Sequence, residues 1–185
     1  NLDKNVNLNG VNLSRVNLSR IDFRNVNLVN TDLAGAILVS ADLHKANLIN
    51  ADLGNADLGD ANLGVANLGM ANLSSANLSG ANLSSANLGG ANLKNAILKS
   101  AFLRNTMLRN ACLLNVDLRR ATLHDVLLYN ANLGKVDLRK ADLRNADLRE
   151  VKLDGANLCE VTLRSSNLKK ADLRKVNLRK ADLRD

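Results

Sequence analysis

Side chains able to break bonds or hold metals are sparse in this chain: two histidines, two cysteines and one tyrosine. His44 and His124 are the only imidazoles. The dipeptide His124–Asp125 supplies a base and a carboxylate, but nucleophilic catalysis also needs a hydroxyl or thiol held in a cleft beside the imidazole. The sequence offers no nucleophile in a defined cleft there. There is no phosphate-cradling glycine motif either; Gly54, Gly59, Gly64 and Gly69 recur every five residues, as corner residues would. Two cysteines in 185 residues give no disulfide framework, which fits a reducing compartment. The expectation is a non-enzymatic protein with no cofactor and no metal. What remains is ionic chemistry: 25 Lys and Arg against 18 Asp and Glu, a formal net charge of +7.

The elements that carry these charges follow a period of five. From Val6 to Asp185 the sequence divides into 36 consecutive five-residue units with no insertion. The centre (third) position is leucine in 35 of them and phenylalanine once, at Phe23. The first position is Ala, Val or Ile except at Thr31, Thr106 and Ser166, and the second is mostly Asn or Asp. Neither a helix, with apolar residues every three or four positions, nor a long strand, with every second one, has this period. The chain is 46% hydrophobic yet 2% aromatic, with no Trp and no Pro. Such a composition suits a core of one small repeated unit rather than an irregular globular one.

In an extended segment, residues two apart point to the same side. A unit such as "ANL" therefore turns Ala and Leu inward and Asn outward, and the next two residues turn the chain. Gly, Ser and Asn suit that corner because they tolerate unusual dihedrals or bond locally. Asn or Asp before the centre can bond neighbouring backbone groups. Strand and corner repeated coil the chain, each coil hydrogen-bonding to the next at the strand spacing of about 4.8 Å. Every multiple of five keeps this register, so the pattern alone leaves three or four sides open.

The units "ADLGN", "ANLSS" and "ADLRK" resemble the A(D/N)LXX signature of the pentapeptide-repeat family, over practically the whole chain. The resemblance implies an all-β fold: a right-handed, four-sided parallel β-helix with about 20 residues per coil. Thirty-six units at four per coil make nine coils. The last unit, "ADLRD", is as regular as those before it, whereas solenoids carry atypical capping ends. A single solenoid over residues 1–185, forming a segment of a longer chain, is expected.

Twenty residues per coil makes a surface map. One column reads Arg24, His44, Gly64, Ser84, Arg104, His124, Arg144, Arg164, Arg184; across a corner run Lys99, Arg119, Arg139, Cys159, Arg179 and Arg120, Lys140, Glu160, Lys180. Residues 41–100 hold three Lys/Arg against four Asp, and residues 101–185 hold eighteen Lys/Arg against eleven Asp/Glu, so the +7 resides in the later part. Arg104, Arg119, Arg139, Lys140, Arg144, Arg164 and Arg184 are the candidate contacts for an acidic partner. In units such as "VDLRK" an Asp precedes an Arg by two residues on the same side, which equally describes a solvated, self-screened face. His44 and His124 fall in one column but four coils apart, about 19 Å, too far to share a metal. Cys112 and Cys159 fall in different columns, beyond disulfide reach.

The polar second position is interrupted at Ile97, Phe102, Met107, Cys112 and Leu127. Met107 stacks under Leu127 with Tyr129 on the same side, and Val29, Ile49 and Met70 lie on that side in earlier coils. These six are the candidate protein contact, because contiguous exposed apolar side chains often mark one. The function expected is a rigid scaffold for protein contacts, through a protein partner or a flanking domain of the same chain, in the cytoplasm or as a secreted effector. Known family members mimic duplex DNA and inhibit or protect DNA gyrase, a role that needs an acidic surface and sits badly with +7. Nucleic-acid binding suits the charge, but Asp interleaves the Arg and aromatic stacking groups are lacking. No apolar run approaches the length of a membrane span.

Overall fold

The fold is described from a computed structural model that covers residues 6–184. Each second-position residue pairs in parallel with the residue twenty further on, from Asn7 with Asn27 to Thr162 with Asp182. Twenty residues are four units, so each coil has four sides. The strands are so short that each contributes a single bridging residue, paired with the coil on either side, and the sheets extend along the rod rather than along the chain.

Three backbone hydrogen bonds per unit join neighbouring coils. Leu48 N–H donates to Asn67 O at 2.7 Å, Asn67 N–H to Ala46 O at 2.9 Å, and Asn50 N–H to Gly69 O at 3.0 Å. A fourth closes the corner within the coil, as from Ala51 N–H to Leu48 O at 3.0 Å. This accounts for most of the backbone donors, the requirement any buried chain must meet.

The four faces are named here by their centre residues: the first runs Leu8 to Leu168, the second Leu13 to Leu173, the third Leu18 to Leu178, and the fourth Phe23 to Leu183. From Phe23 to Leu163 every centre side chain is buried, and the first-position Ala and Val beside them are buried with them. Thr31 and Thr106 take first positions without orphaning a hydroxyl: each donates at 2.8 Å to a centre carbonyl of the preceding coil, Leu8 O and Leu83 O respectively. Ser166 donates to Leu163 O at 2.6 Å.

The corner divides its labour differently from the expectation. The fifth position has positive φ in every described unit, at thirty non-glycine residues as well as five glycines. The glycines at 54, 59, 64 and 69 occupy the fourth position, where φ is not positive. There they relieve crowding: a Cβ on Gly54 would lie 3.1 Å from the side chains of both Asp52 and Asn72. The second-position side chain also fixes the corner, since Asp52 Oδ1 accepts from Gly54 N–H at 2.9 Å and the same i to i+2 bond recurs along the rod. Second-position amides bridge coils too, as from Asn72 Nδ2 to Asp52 Oδ1 at 2.8 Å.

Candidate functional site

The second and fourth positions of one unit lie two residues apart on the outer surface, and this spacing builds a repeated ionic device. In Asp137–Arg139 the guanidinium donates from Nε to Oδ1 at 2.9 Å and from Nη2 to Oδ2 at 2.6 Å. The same two-point clamp joins Arg24 to Asp22, Arg119 to Asp117, Arg144 to Asp142, Arg149 to Asp147, Arg174 to Asp172 and Arg184 to Asp182. The clamping arginine holds the Asp22 carboxyl down at about 2 and keeps those of Asp117, Asp142, Asp147, Asp172 and Asp182 below the usual carboxylate range. The bond raises the guanidinium in turn at Arg119, Arg139 and Arg144.

The predicted basic residues therefore differ in availability. Arg119, Arg139, Arg144 and Arg184 are clamped. Arg164, whose own unit has Thr162 in place of Asp, reaches the next coil and donates from Nε to Asp182 Oδ2 at 2.7 Å. Arg104 Nε stands 3.8 Å from Asp125 Oδ2, and Lys140 Nζ stands 3.6 Å from Glu160 Oε2. Arg120 makes no ion pair among the described residues. It is a cation the candidate set omitted, and its place at the fifth position, stacked under Lys140, could have flagged it.

A filled rod is expected to lack pockets, yet shallow grooves lie along its corners. Corner side chains stacked at the strand spacing cannot fill the space between them, and shallow grooves result. One, of about 440 Å³, has Arg104, His124, Asp125, Arg144 and Arg164 along it; another, of about 270 Å³, is lined by Lys99, Arg119, Arg120, Arg139 and Lys140. His124 sits in the first with its Nδ1 buried and without a hydrogen-bond partner, 4.0 Å from Asp142 Oδ2. Its Nε2 lies 4.0 Å from Asp125 Oδ2. Ser165 lines the same groove. It is two coils along, about 10 Å away by sheet spacing, beyond the reach a nucleophile needs. Cys112 and Cys159 are free, half-buried thiols. Among the described residues no three His, Cys, Asp or Glu converge as a metal site, and no helix is long and apolar enough to cross a membrane.

The six apolar candidates do share the first face and its corner, but as two clusters. Met107 pairs directly with Leu127 and, on its other side, with Asn87. Asn87 continues a ladder downward, donating from Nδ2 to Asn67 Oδ1 at 3.1 Å. Met70, Ile49 and Val29 lie in the fourth- and fifth-position columns of earlier coils, where Gly69, Gly89 and Arg109 stand between Ile49 and Tyr129. Among the described residues Met70 is the most exposed large apolar one, at 67%, whereas Val29, Ile49 and Leu127 are half-buried. Tyr129 is tied into the ionic edge: its hydroxyl donates to Glu150 Oε2 at 3.1 Å, and the Arg149 guanidinium lies 5.7 Å from its ring centre. Phe102 on the fourth face and Ile97 on the third are exposed as well, so the interruption girdles one coil instead of marking a single side.

The family pattern of pentapeptide repeats (8 copies) matches residues 4–38, 27–64, 56–95, 86–125, 127–164 and 146–185. The chain belongs to the pentapeptide-repeat family, whose fold is the right-handed, four-sided β-helix. It is similar to HetL, a pentapeptide-repeat protein involved in heterocyst differentiation regulation in the cyanobacterium Nostoc sp. strain PCC 7120. That likeness has 32% identity over 97% of this chain and 86% of HetL, with a TM-score of 0.52. Trypsin-treated QnrB1, a plasmid-mediated fluoroquinolone resistance protein, aligns over 96% of this chain and 89% of its own at 20% identity and TM-score 0.55, a likeness of fold alone. No curated protein sequence matches the chain.

Proposed function

We propose that the chain is a non-enzymatic, rigid scaffold for protein–protein contact, acting as a repeat domain of a regulatory or effector protein. One observation carries the reading: Met107, Leu127 and Tyr129 place apolar surface outside a core that is already complete without them. Such residues cost solubility unless a partner or a flanking segment covers them. The regulatory role of HetL, the more similar of the two relatives in sequence, is of the same kind. Two free thiols suit a reducing setting such as the cytoplasm. Amide exchange and a photo-crosslinker at Met107 in the assembled state test the contact. Protection at Leu127 and Tyr129 beyond that of the isolated rod, where Leu127 N–H already donates to Thr106 O, with crosslinks to a partner is expected; no added protection at either in any assembled state would leave the apolar units as repeat drift.

A second reading is favoured by the charge distribution: residues 101–185 carry the whole net charge and bind an acidic partner. Duplex-DNA mimicry of the gyrase-directed kind requires the opposite sign, and residues 41–100, the least basic stretch, reach only −1.

A further inference from the structure

Resting on the second reading, we infer that the groove at the corner of the third and fourth faces docks a short acidic segment of a partner protein, three or four carboxylates long. Five cations line it: Lys99, Arg119, Arg120, Arg139 and Lys140. The Asp117 and Asp137 clamps use Nε and Nη2 of Arg119 and Arg139, so each guanidinium is fixed in place with its Nη1 amino group left over. Preformed forks of this kind match carboxylates without further ordering. Lys99 and Arg120 make no ion pair among the described residues, and Lys140 makes only the 3.6 Å contact to Glu160.

The cluster is interrupted at both ends, and the interruptions point to the ligand. Along the fifth-position column the sequence runs Asp60, Gly80, Ser100, Arg120, Lys140, Glu160, Lys180; along the fourth it runs Gly59, Ser79, Lys99, Arg119, Arg139, Cys159, Arg179, so Glu160 and Cys159 break the basic run for one coil before it resumes. From Lys99 to Arg139 is two coil spacings, about 10 Å. Three or four extended residues span that distance. A nucleic-acid backbone is negative at every step and would run on into Glu160 at one end and Asp60 at the other. A polypeptide can place carboxylates opposite the cations and neutral residues beyond them. No aromatic side chain lines the groove to stack a base.

The test uses the whole chain and three fluorescein-labelled probes: a peptide with four consecutive glutamates between Gly-Ser flanks, its glutamine counterpart, and a 20-nucleotide oligo-dT. The groove variant is Arg120→Glu with Lys140→Glu, substitutions the backbone accepts because Glu150 and Glu160 already hold fifth positions at φ 58° and 59°. The control is Arg109→Glu with Lys169→Glu on the first face, an equal change of charge. At about 50 mM salt, where screening is weak, the tetraglutamate binds and the tetraglutamine does not. The groove variant weakens that binding by about tenfold or more, and the control by about twofold at most. Equal loss in both variants overturns the groove and leaves the broader acidic-partner reading standing. No tetraglutamate binding at low salt removes both. Tighter binding of oligo-dT, lost in the groove variant, makes the groove a nucleic-acid site and overturns the acidic segment.

Discussion

Arg144 donates two parallel hydrogen bonds to Asp142, from Nε to Oδ1 at 2.9 Å and from Nη2 to Oδ2 at 2.6 Å, across one strand of the fourth face. The bond favours the charged carboxylate, so Asp142 stays ionised to lower pH in the folded rod than in the unfolded chain. The clamps thus stabilise the fold above the unfolded carboxylate value of about 3.9. That contribution is lost as pH falls through the lower folded values, which for Asp22 means toward about 2. The expected result is a melting temperature insensitive to these groups between neutrality and pH 5 that drops below pH 4. The drop should be smaller in about 0.5 M salt, because the pairs are exposed and screened. Carbon-detected NMR titration checks the cause: Arg144→Gln should raise the Asp142 midpoint toward the ordinary carboxylate value.

Leu78 is fully buried on the third face, between Leu58 and Leu98, with its N–H bound to Ile97 O at 2.7 Å. Replacing it with Asp places a carboxylate in an apolar layer with no partner, at a cost of several kcal/mol. In a stacked array stability rests on neighbouring coils, so the damage should centre on the coils holding residues 58–98. Limited proteolysis should cut Leu78→Asp there first. Unchanged cleavage would contradict the inward placement of Leu78.

Thr106 places its hydroxyl in the core, yet the carbonyl it binds, Leu83 O, also accepts from Ala86 N–H at 3.0 Å. Removing the hydroxyl leaves no orphaned acceptor, and Val already fills equivalent buried sites at Val116 and Val126. Thr106→Val should therefore shift unfolding free energy by about 1 kcal/mol or less. A loss above about 2 kcal/mol in denaturant unfolding would mean that the hydroxyl satisfies a group beyond Leu83 O.

The inward residues from Phe23 to Leu163 are legible, because Leu at every fifth position admits one register and the pleat then fixes Ala and Leu inside; Val11, Val16, Leu173 and Leu183 follow the same register yet are exposed, because each lies in an end coil with a neighbour on one side only. The number of sides is not legible, since the coil of four units is set by corner geometry that no single unit encodes. The spacing of Asp137 and Arg139 is visible as a pair; that their clamp fixes the guanidinium and leaves Nη1 over is a matter of side-chain geometry that spacing does not encode. The first-face strip reads as continuous in the sequence because the pleat places Val29, Ile49 and Leu127 outward. All three are half-buried, a property of the stacked coils that spacing does not encode, and Gly69, Gly89 and Arg109 part Ile49 from Tyr129 in their column.

Val65 holds a fifth position at φ 60°, where a β-branched side chain crowds its own backbone. The site is 49% exposed, so the valine recovers little by burial. Asn is common at equivalent corners, as at Asn25, Asn105 and Asn145, with φ between 55° and 60°. Its short polar side chain tolerates the left-handed region, which costs an ordinary L-residue about 1–2 kcal/mol. Val65→Asn should therefore stabilise the rod by about 1 kcal/mol, and Val65→Gly by somewhat less, since glycine also loses more freedom on folding. Met70, at the same φ, separates the two causes because it is unbranched. If strain at Cβ dominates, Met70→Asn gains less than Val65→Asn in denaturant unfolding. Equal gains at both sites would assign the effect to loss of exposed apolar surface instead, and a loss at Val65 would show that its side chain makes a contact the rod depends on.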